Sequence, residues 1–272
     1  MKTPFFQKII FYLLLTIFAV MVFFPVGYAF LISFMTPQEV LMGKIFPSSF
    51  SFFNYEQAFQ RLPLIKYFFN SFVVSTLVMM GQILVCSMAA YVFVFLPFRG
   101  SNLIFYLFIS TMMIPWEATM IPNFLMIQGF GWTNTYMALT LPFFAAAFGT
   151  FLLRQHFLTI PYELYEAAQI GGIGKFKFFW KVVLPMSKTS IVTLGAYSFL
   201  TTWNMYLWPL LTTTNDKVRT VQIGIRQLQS NESATDWGVV MAGVMIIILP
   251  TLILLFLGQK QLQKGLTQGA IK

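Results

Sequence analysis

Long apolar runs alternate with short polar segments along this 272-residue chain. A helix that crosses a bilayer needs about 20 mostly apolar residues, and six runs come close to or exceed that length. Only one charged residue, Glu117, falls inside any of them. The pattern predicts an all-α membrane protein with six transmembrane helices, approximately Ile9–Ile32, Ser71–Phe95, Leu103–Met126, Tyr136–Leu153, Ile191–Leu211 and Val239–Leu257.

The basic residues indicate an orientation for these helices. With the N-terminus in the cytoplasm, eleven of the 17 Lys and Arg residues fall in inner segments, and the remaining six, Lys44, Arg61, Lys66, Lys217, Arg219 and Arg226, fall in outer segments. Because basic loop residues favour the cytoplasmic side, both termini are predicted to lie inside. The net charge of +9 is thereby attributed to topology and not to nucleic-acid binding.

The first apolar run is predicted to be retained as a helix. Its apolar stretch of about 24 residues exceeds the 7–15 residues of a signal-peptide core. The chain is predicted to be a multi-pass protein of the plasma or inner membrane. It is expected to form one transmembrane domain over residues 1–272, with a long outer loop at about 33–66, an inner loop at about 154–190 and a second outer loop at about 212–236.

The composition argues against catalysis in this chain. Hydrophobic residues make up 58% and charged residues 9% of the sequence, and mean hydropathy is +0.75. The single cysteine, Cys86, and the single histidine, His156, exclude a disulfide framework and a cysteine metal site. Cys86 is expected to be inert and buried, and His156 to lie at the membrane interface. No metal site is predicted.

The inner loop has a clear local pattern between Thr159 and Pro185. Pro161 suits the first turn of a helix, and Glu163 and Glu166 lie near that helix start, where the dipole favours negative charge. Gly171-Gly172 is predicted to end the helix because glycine adopts the left-handed C-terminal conformation. A second helical piece at about 175–183 carries basic residues. The loop is therefore predicted to form a helix–Gly–helix element on the cytoplasmic face.

The order and spacing of residues in this loop resemble the EAA loop of the permease subunits of ABC importers. Glu-Ala-Ala is followed by three residues, Gly, nine residues, an aliphatic residue, one residue and Leu-Pro; the matching residues are Glu166, Ala167, Ala168, Gly172, Val182, Leu184 and Pro185. Gly171 departs from the Asp that often precedes the motif glycine. The resemblance implies the permease fold of type I importers, with this loop acting as a coupling helix that docks on an ATPase subunit.

Three further segments are similar to the carbohydrate branch of that family. The outer-loop segment 52–59 contains its Asn-Tyr signature at Asn54 and Tyr55, and the end, Lys264–Lys272, is similar to its C-terminal tail. Segments 151–156, 184–189 and 201–211 are most similar to permeases for glycerol-3-phosphate. The resemblance therefore implies import of glycerol-3-phosphate or a glycerophosphodiester, with maltose-type oligosaccharides as the alternative.

The same resemblance implies the partners. They are a second permease subunit, two ATPase subunits that bind ATP and magnesium, and an extracytoplasmic solute-binding protein. No cofactor is expected in this chain. Gly171–Lys175 lacks the first glycine and the final Ser or Thr of a Walker loop, because Gln169 and Phe176 stand there. The loop 212–236 corresponds in position to the segment that contacts the binding protein, and the tail to a segment that contacts the ATPases.

Glu117 is the one charged residue of the apolar runs. A carboxylate inside a span usually faces a cavity or a partner, and Pro115 and Pro122 on either side each remove a helical hydrogen bond. Glu117 is predicted to face the translocation path, to bond to a neighbouring helix, or to lie near the outer interface. An anionic substrate would not favour an unpaired carboxylate.

A second candidate cluster contains Trp203, Asn204, Tyr206 and Trp208. Asn204 and Trp208 are four residues apart, which would place them on one helical face. Aromatic rings and an amide suit a polyol, so Trp203, Asn204 and Tyr206 are candidates for the substrate path. Trp208 is assigned to an interfacial aromatic belt. An ion-coupled secondary transporter is a different possible class, but one intramembrane carboxylate gives it little support.

Overall fold

The computed structural model describes residues 5–96, 98–229 and 235–267. These residues form helices and connecting segments, with no β-strand among them. The helices are α1 Phe5–Ile32, α2 Pro37–Leu41, α3 Phe53–Arg61, α4 Leu64–Phe95, α5 Ser101–Ser110, α6 Trp116–Gly129, α7 Tyr136–Thr140, α8 Ala147–Phe157, α9 Tyr162–Ile170, α10 Lys175–Phe178, α11 Leu184–Met186, α12 Lys188–Trp203, α13 Leu207–Thr212, α14 Val221–Gln229 and α15 Trp237–Thr267.

Three of the six predicted spans are single long helices. They are Phe6–Ile32, Leu64–Phe95 and Trp237–Leu254, each long and apolar enough to cross a membrane. The predicted spans at 103–126 and 136–153 are instead pairs of helices. The first pair, Ser101–Met113 and Trp116–Gly129, bends by 98°, and the second, Tyr136–Phe143 and Ala147–Phe157, bends by 45°.

Proline explains the sharper bend. Ile114 adopts extended backbone angles (φ −87°, ψ 116°) and Pro115 follows with ψ 135°. A proline ring disfavours the helical conformation of the residue before it, and proline has no N–H to donate. The helix therefore stops before Pro115 and restarts at Trp116. An apolar run of sufficient length does not guarantee one straight helix.

The fifth predicted span, Ile191–Leu211, is also interrupted. Helix α12 ends at Trp203, Asn204 is its C-terminal cap, and α13 begins only at Leu207. The interpretation that Asn204 and Trp208 share one helical face is therefore wrong, because the two residues belong to different helices.

The chain divides into two compact units. The first contains residues 1–65 and 224–249, and its apolar core surrounds Ala58, Leu64 and Val239. The second contains residues 66–223 and 250–272 and has two cores. One of these cores surrounds Phe95, Phe157 and Phe178, and the other surrounds Trp208 and Leu139; both bury fully enclosed aromatic rings.

Candidate functional site

The Glu-Ala-Ala motif lies on helix α9. This helix begins at Tyr162, and Pro161 occupies its N-cap position. Tyr165 and Ala168 are buried, whereas Glu166 and Ala167 of the motif are exposed. Glu163 lies in the first turn, where the helix dipole favours its charge. The helix thus has one face packed on the protein and one open face that carries the motif's carboxylate.

Gly172 ends α9 in the way that the sequence predicts. Its φ is +74°, in the left-handed region that glycine adopts without a steric penalty. The N–H of Ile173 donates to the carbonyl of Ala168 (2.8 Å), and that of Gly172 donates to Gln169 (3.1 Å). This pair of bonds is a Schellman motif, which satisfies the last carbonyls of the helix.

Aromatic rings attach this loop to the end of α4. Ring centroids of Tyr165 and Phe178 lie 5.2 Å apart, and both rings contact Phe95 of α4, at 5.8 and 5.5 Å. Tyr91 of α4 packs on Phe179 at 5.2 Å, and its hydroxyl donates to the carbonyl of Lys175 (2.8 Å). We call Tyr91, Phe95, Tyr165, Phe178 and Phe179 the aromatic brace. Because the rings of the aromatic brace are buried and closely packed, they form a rigid contact between α9 and the end of α4.

The Leu-Pro end of the motif follows a change in helix type. Residues Phe179–Val183 form a π-helical segment in which the N–H of Leu184 donates to the carbonyl of Phe179. Pro185 has no N–H of its own to donate, and Ser187 then satisfies the carbonyl of Val183 through both its N–H and its hydroxyl. The irregular segment allows Phe178, Phe179 and Val183 to point together into the core.

The surface around α9 is apolar and basic. Ile170 is 89% exposed and Phe176 is 69% exposed. Trp180 is partly exposed beside them, and the same stretch carries Lys175, Lys177 and Lys181 at exposed positions. Large exposed apolar side chains ringed by charge are typical of a protein-binding surface.

Glu117 lies at the 98° bend, in the first turn of α6. Its side chain is exposed, and no hydrogen bond or ion pair is found for it among the described residues. Of the three predictions for Glu117, bonding to a neighbouring helix of this chain is not supported by the described residues, and a position near the outer interface stays a prediction. The path-facing role remains a prediction.

The Trp203 cluster is split by burial. Trp203 is 1% exposed and stacks on Phe199, with ring centroids 5.8 Å apart. Asn204 is exposed, and its amide caps α12 by donating to the carbonyl of Leu200 (2.8 Å). Tyr206 is half-buried. Asn204 and Tyr206 are thus accessible to a solute in this structure, whereas the Trp203 ring is enclosed.

Trp208 does not belong to an interfacial belt. It is fully buried, its indole N–H donates to the carbonyl of Ala138 (2.9 Å), and its ring contacts Trp116 at 5.5 Å. The belt prediction is wrong because the broken helix at Asn204 turns Trp208 into the core.

Hydrogen bonds hold the segment 213–221 against the beginning of α4. The hydroxyl of Tyr67 donates to Asp216 (2.6 Å), and the amide of Asn70 donates to the carbonyls of Lys217 and Arg219. The N–H of Val221 donates to Ser71 (2.8 Å). The Tyr67 hydroxyl and then Arg219 hold the pKa of the Asp216 carboxyl below its ordinary value.

Asn134 fixes the other side of this segment. Its φ is +59°, and its side-chain oxygen accepts from the backbone N–H of Thr214 (2.8 Å) and Asn215 (3.3 Å). We call the side chains of Tyr67, Asn70, Ser71 and Asn134, together with their partners in 213–221, the polar clamp. The part of the predicted loop 212–236 at 230–234 lies outside the described residues.

The Asn-Tyr signature ties the first outer loop to the end of α1. Asn54 is buried, and its amide donates to the carbonyls of Ser33 (3.0 Å) and Met35 (2.8 Å). The Tyr55 and Ser33 hydroxyls lie 2.9 Å apart. Gly238 of α15 passes close by, since a Cβ there would lie 2.5 Å from the Asn54 amide nitrogen.

An open cleft of about 750 Å³ runs beside α4, α12 and α15. Its lining is apolar apart from Thr76, and includes Phe68, Phe72, Phe199 and Pro250. Nothing in this lining would hold a charged solute.

The predicted tail Lys264–Lys272 lies partly on α15, which is described to Thr267, and residues 268–272 lie outside the described part of the chain.

Comparison with known proteins identifies the family. The profile of the family "Binding-protein-dependent transport system inner membrane component" matches residues 82–268, which include α9 and both ends of the EAA-type motif. The chain therefore belongs to this family of multi-pass membrane proteins, the permease components of ABC importers. The resemblance drawn from Glu166 to Pro185 is confirmed.

Individual relatives narrow the comparison. The sn-glycerol-3-phosphate transport system permease protein UgpE of Brucella abortus (strain 2308) is 36% identical over 96% of both chains. The protein of the same name from Yersinia enterocolitica is 40% identical over 74% of this chain and 72% of its own. A crystal structure of a bacterial ABC transporter that takes part in import of the acidic polysaccharide alginate contains a chain with the same fold (TM-score 0.85, 23% identity, 95% and 99% coverage).

Two structural features of the candidate site have no signal in the local sequence. The aromatic brace joins residues of α4 to residues 70 or more positions later, and the polar clamp joins Tyr67 to Asp216 across 149 positions. Phenylalanine is too frequent in this chain, with 33 copies, for any one ring to be singled out. Asn134 carries a weak signal, since asparagine tolerates the left-handed region better than most residues.

Proposed function

We propose that this chain is one of the two permease subunits of an ATP-driven importer for glycerol-3-phosphate or a glycerophosphodiester. The observation that carries the proposal is the 36% identity with a glycerol-3-phosphate permease over 96% of both chains. The matched region covers nearly the whole length of both chains, so it extends well beyond the coupling loop.

The proposal includes a topology and a set of partners. Each bent pair of helices, and the pair α12–α13, is counted as one membrane crossing, which gives six crossings. With both termini in the cytoplasm, this topology places α9 in the cytoplasm and the polar clamp outside. The basic residues support this orientation. The partners are a second permease, two ATPase subunits that bind ATP and magnesium, and an external binding protein. This chain contributes no ATP site of its own.

Helix α9 is proposed to be the coupling helix. Its exposed face, with Glu166 and Ala167, and the apolar side chains nearby suit docking in a groove of the ATPase subunit. When the ATPases close, they displace α9. The aromatic brace passes this displacement to the end of α4, because closely packed rings transmit movement instead of absorbing it. Rearrangement of α4 then switches the path from inward-facing to outward-facing.

Glu117, Asn204 and Tyr206 are proposed to line this chain's half of the path, and Trp203 to support Asn204 from behind. The carboxylate of Glu117, which has no partner among the described residues, lies at irregular backbone, which is tolerated at membrane depth where it borders a water-filled route. Since Glu117 repels phosphate, the cationic groups that bind the substrate's phosphate are assigned to the second permease and the binding protein.

Substrate-stimulated ATPase activity of the complete complex tests the substrate class. The complex is reconstituted in liposomes with its binding protein and given glycerol-3-phosphate, a glycerophosphodiester or a maltose-type sugar. Stimulation by a glycerophosphate compound supports the proposal. Stimulation by the sugar alone contradicts the substrate assignment and leaves the importer class intact.

The coupling role is tested separately with Glu166→Lys. We expect assembled complexes to lose substrate-stimulated ATPase activity, because a positive charge replaces a negative one at the docking surface. Glu163→Lys is the matched control, since Glu163 is exposed on the same helix but lies outside the motif. Full coupling in assembled Glu166→Lys complexes would overturn this role for α9.

A further inference from the structure

The first outer loop exposes a group of large apolar side chains and buries several of its polar ones. Three of its polar residues are buried beside apolar ones such as Met35: Ser33 is 0% exposed, Glu39 8% and Asn54 4%. Six of its large apolar residues are between 60% and 84% exposed: Leu41, Met42, Ile45, Phe46, Phe50 and Phe52. A loop surrounded by water would have the opposite arrangement.

The fold buries Glu39 and pairs it with Lys44, the next charged residue along the chain. Glu39 caps α2, accepting from the N–H of Thr36 (3.0 Å) and of Ser48 (2.9 Å), and it pairs with Lys44 (3.4 Å). Hydrogen bonds from Ser48 and Thr36 lower the pKa of Glu39 to about 2. The only charge between positions 41 and 53 is that of Lys44. The outward surface of the segment is therefore nearly free of unpaired charge.

The segment is fixed at the end of a membrane-spanning helix. The ring of Phe34, two residues beyond α1, contacts the rings of Phe50 (5.3 Å) and Phe52 (5.5 Å), and Asn54 holds the backbone of Ser33 and Met35. The apolar span Phe6–Ile32 is about 40 Å long at 1.5 Å per residue. The hydrocarbon core is only about 30 Å thick, so one end of this helix reaches the headgroup region.

We propose that segment 41–53 is an interfacial membrane anchor, whose exposed apolar side chains insert into the lipid headgroup–acyl boundary of the leaflet at which α1 ends. Lipid is favoured over a protein partner because the surface continues directly from a spanning helix whose own apolar window is unburied in this chain. Insertion of such side chains by about 5–10 Å is the usual depth of an interfacial segment. The anchor fixes the height of the first outer loop relative to the bilayer.

Site-directed spin labelling of the assembled complex in liposomes tests this anchor. Cys86 is the only cysteine and is fully buried, so Cys86→Ser gives a background without thiols. A nitroxide on Phe46→Cys is expected to lie about 5–10 Å into the headgroup–acyl boundary, accessible to oxygen and shielded from a water-soluble nickel complex. Gln60→Cys is the matched control, since Gln60 is an exposed polar residue of α3 in the same unit and its label should contact water.

Two results would overturn the anchor. A Phe46 label that is as accessible to nickel as the Gln60 label would show that the segment lies in water. A label shielded from both oxygen and nickel would show that a protein partner covers it. If Phe46→Cys prevents assembly, Ile45→Cys places the label on the same exposed surface, since Ile45 is 60% exposed.

Discussion

Two connecting segments of the second unit are held to helix α4 by different forces. At one end of α4, the loop that carries α9 is held by the rings of the aromatic brace, whose one hydrogen bond runs from Tyr91 to Lys175. At the other end, segment 213–221 is held by the hydrogen bonds and charges of the polar clamp. Ring packing is broad and shared among many contacts, whereas each hydrogen bond depends on one donor and one acceptor.

The difference suits the proposed roles. A coupling helix must pass force in whichever direction its partner moves, and a packed apolar core resists deformation in every direction. A segment that meets a binding protein must present fixed backbone groups, and directional hydrogen bonds define such a geometry. Substitutions at the two ends of α4 should therefore produce distinct and local effects.

The largest expected effect is that of Phe178→Ala in the aromatic brace. Removing a fully buried ring costs about 3–5 kcal/mol, which would raise the population of the locally opened state at least about 100-fold. Cys86 belongs to the same core, so its rate of maleimide labelling measures this opening. Phe176→Ala is the control: Phe176 is mostly exposed, and its loss should change labelling by no more than about twofold. Equal rates in both variants would show that the brace is not packed as described.

Ser71→Ala in the polar clamp should have the next largest effect. The buried N–H of Val221 loses its acceptor, at a cost of about 1–3 kcal/mol. Hydrogen exchange at the Val221 amide is expected to accelerate by roughly five- to 160-fold, with no change in Cys86 labelling. Ser75→Ala, one turn further along α4, is the control, because the Ser75 hydroxyl has no partner among the described residues. Faster Cys86 labelling in Ser71→Ala would contradict the independence of the two ends.

Gly172→Ala probes the end of α9 itself. A side chain in the left-handed conformation costs about 1–2 kcal/mol, so hydrogen exchange at Ile173, whose N–H donates to Ala168, should accelerate about five- to thirtyfold. Gly174→Ala is expected to be neutral, because Gly174 has φ −62° and open space at its Cβ position. Similar exchange in the two variants would argue against the Schellman motif.

The smallest effect belongs to Asp216. Its lowered pKa means that its pairing stabilises the clamp at pH values above the ordinary 3.8 and is lost as the pH falls through the lower native value. Asp216→Asn should weaken protection of residues 213–221 at pH 7 by less than about 1 kcal/mol, because the carboxylate is half exposed. The difference between wild type and variant, measured by hydrogen exchange, should shrink below pH 3.8. A difference that grows on acidification would reverse the sign of this contribution.

The sequence predicts the end of α9 better than it predicts the contacts of α9 with α4. Gly172, Leu184 and Pro185 stand in a fixed local order, and the chemistry of glycine and proline makes the end of α9 predictable. The rings that brace α9 come from α4, and no local pattern selects Phe95 from its neighbours. The same limit applies to Asn54. The sequence contains its Asn-Tyr signature, but it does not predict that the Asn54 amide donates to the carbonyls of Ser33 and Met35.

Helix continuity shows a second limit. A count of apolar residues predicts the spans around α1, α4 and α15, which are straight enough to be single helices. The same count merges α5 with α6, although Pro115 breaks the backbone there, and merges α12 with α13 across Asn204. Hydropathy measures how favourable it is to transfer side chains from water to lipid. Whether a helix is interrupted, as at Pro115, depends instead on its backbone hydrogen bonds, so hydropathy does not predict it. The prediction that Trp208 lies in an interfacial belt is wrong for this reason.

The rigid connection between α9 and α4 is tested most directly by one distance. In a Cys86→Ser background, spin labels on Glu163→Cys of α9 and Met88→Cys of α4 both occupy exposed positions. The distance between them is measured in the assembled complex with and without bound ATP, while a label pair between α9 and the ATPase subunit reports that closure has occurred. We expect the α9–α4 distance to stay constant during closure. A shift in this distance on ATP binding would show that α9 moves independently of α4, and would contradict transmission through the aromatic brace.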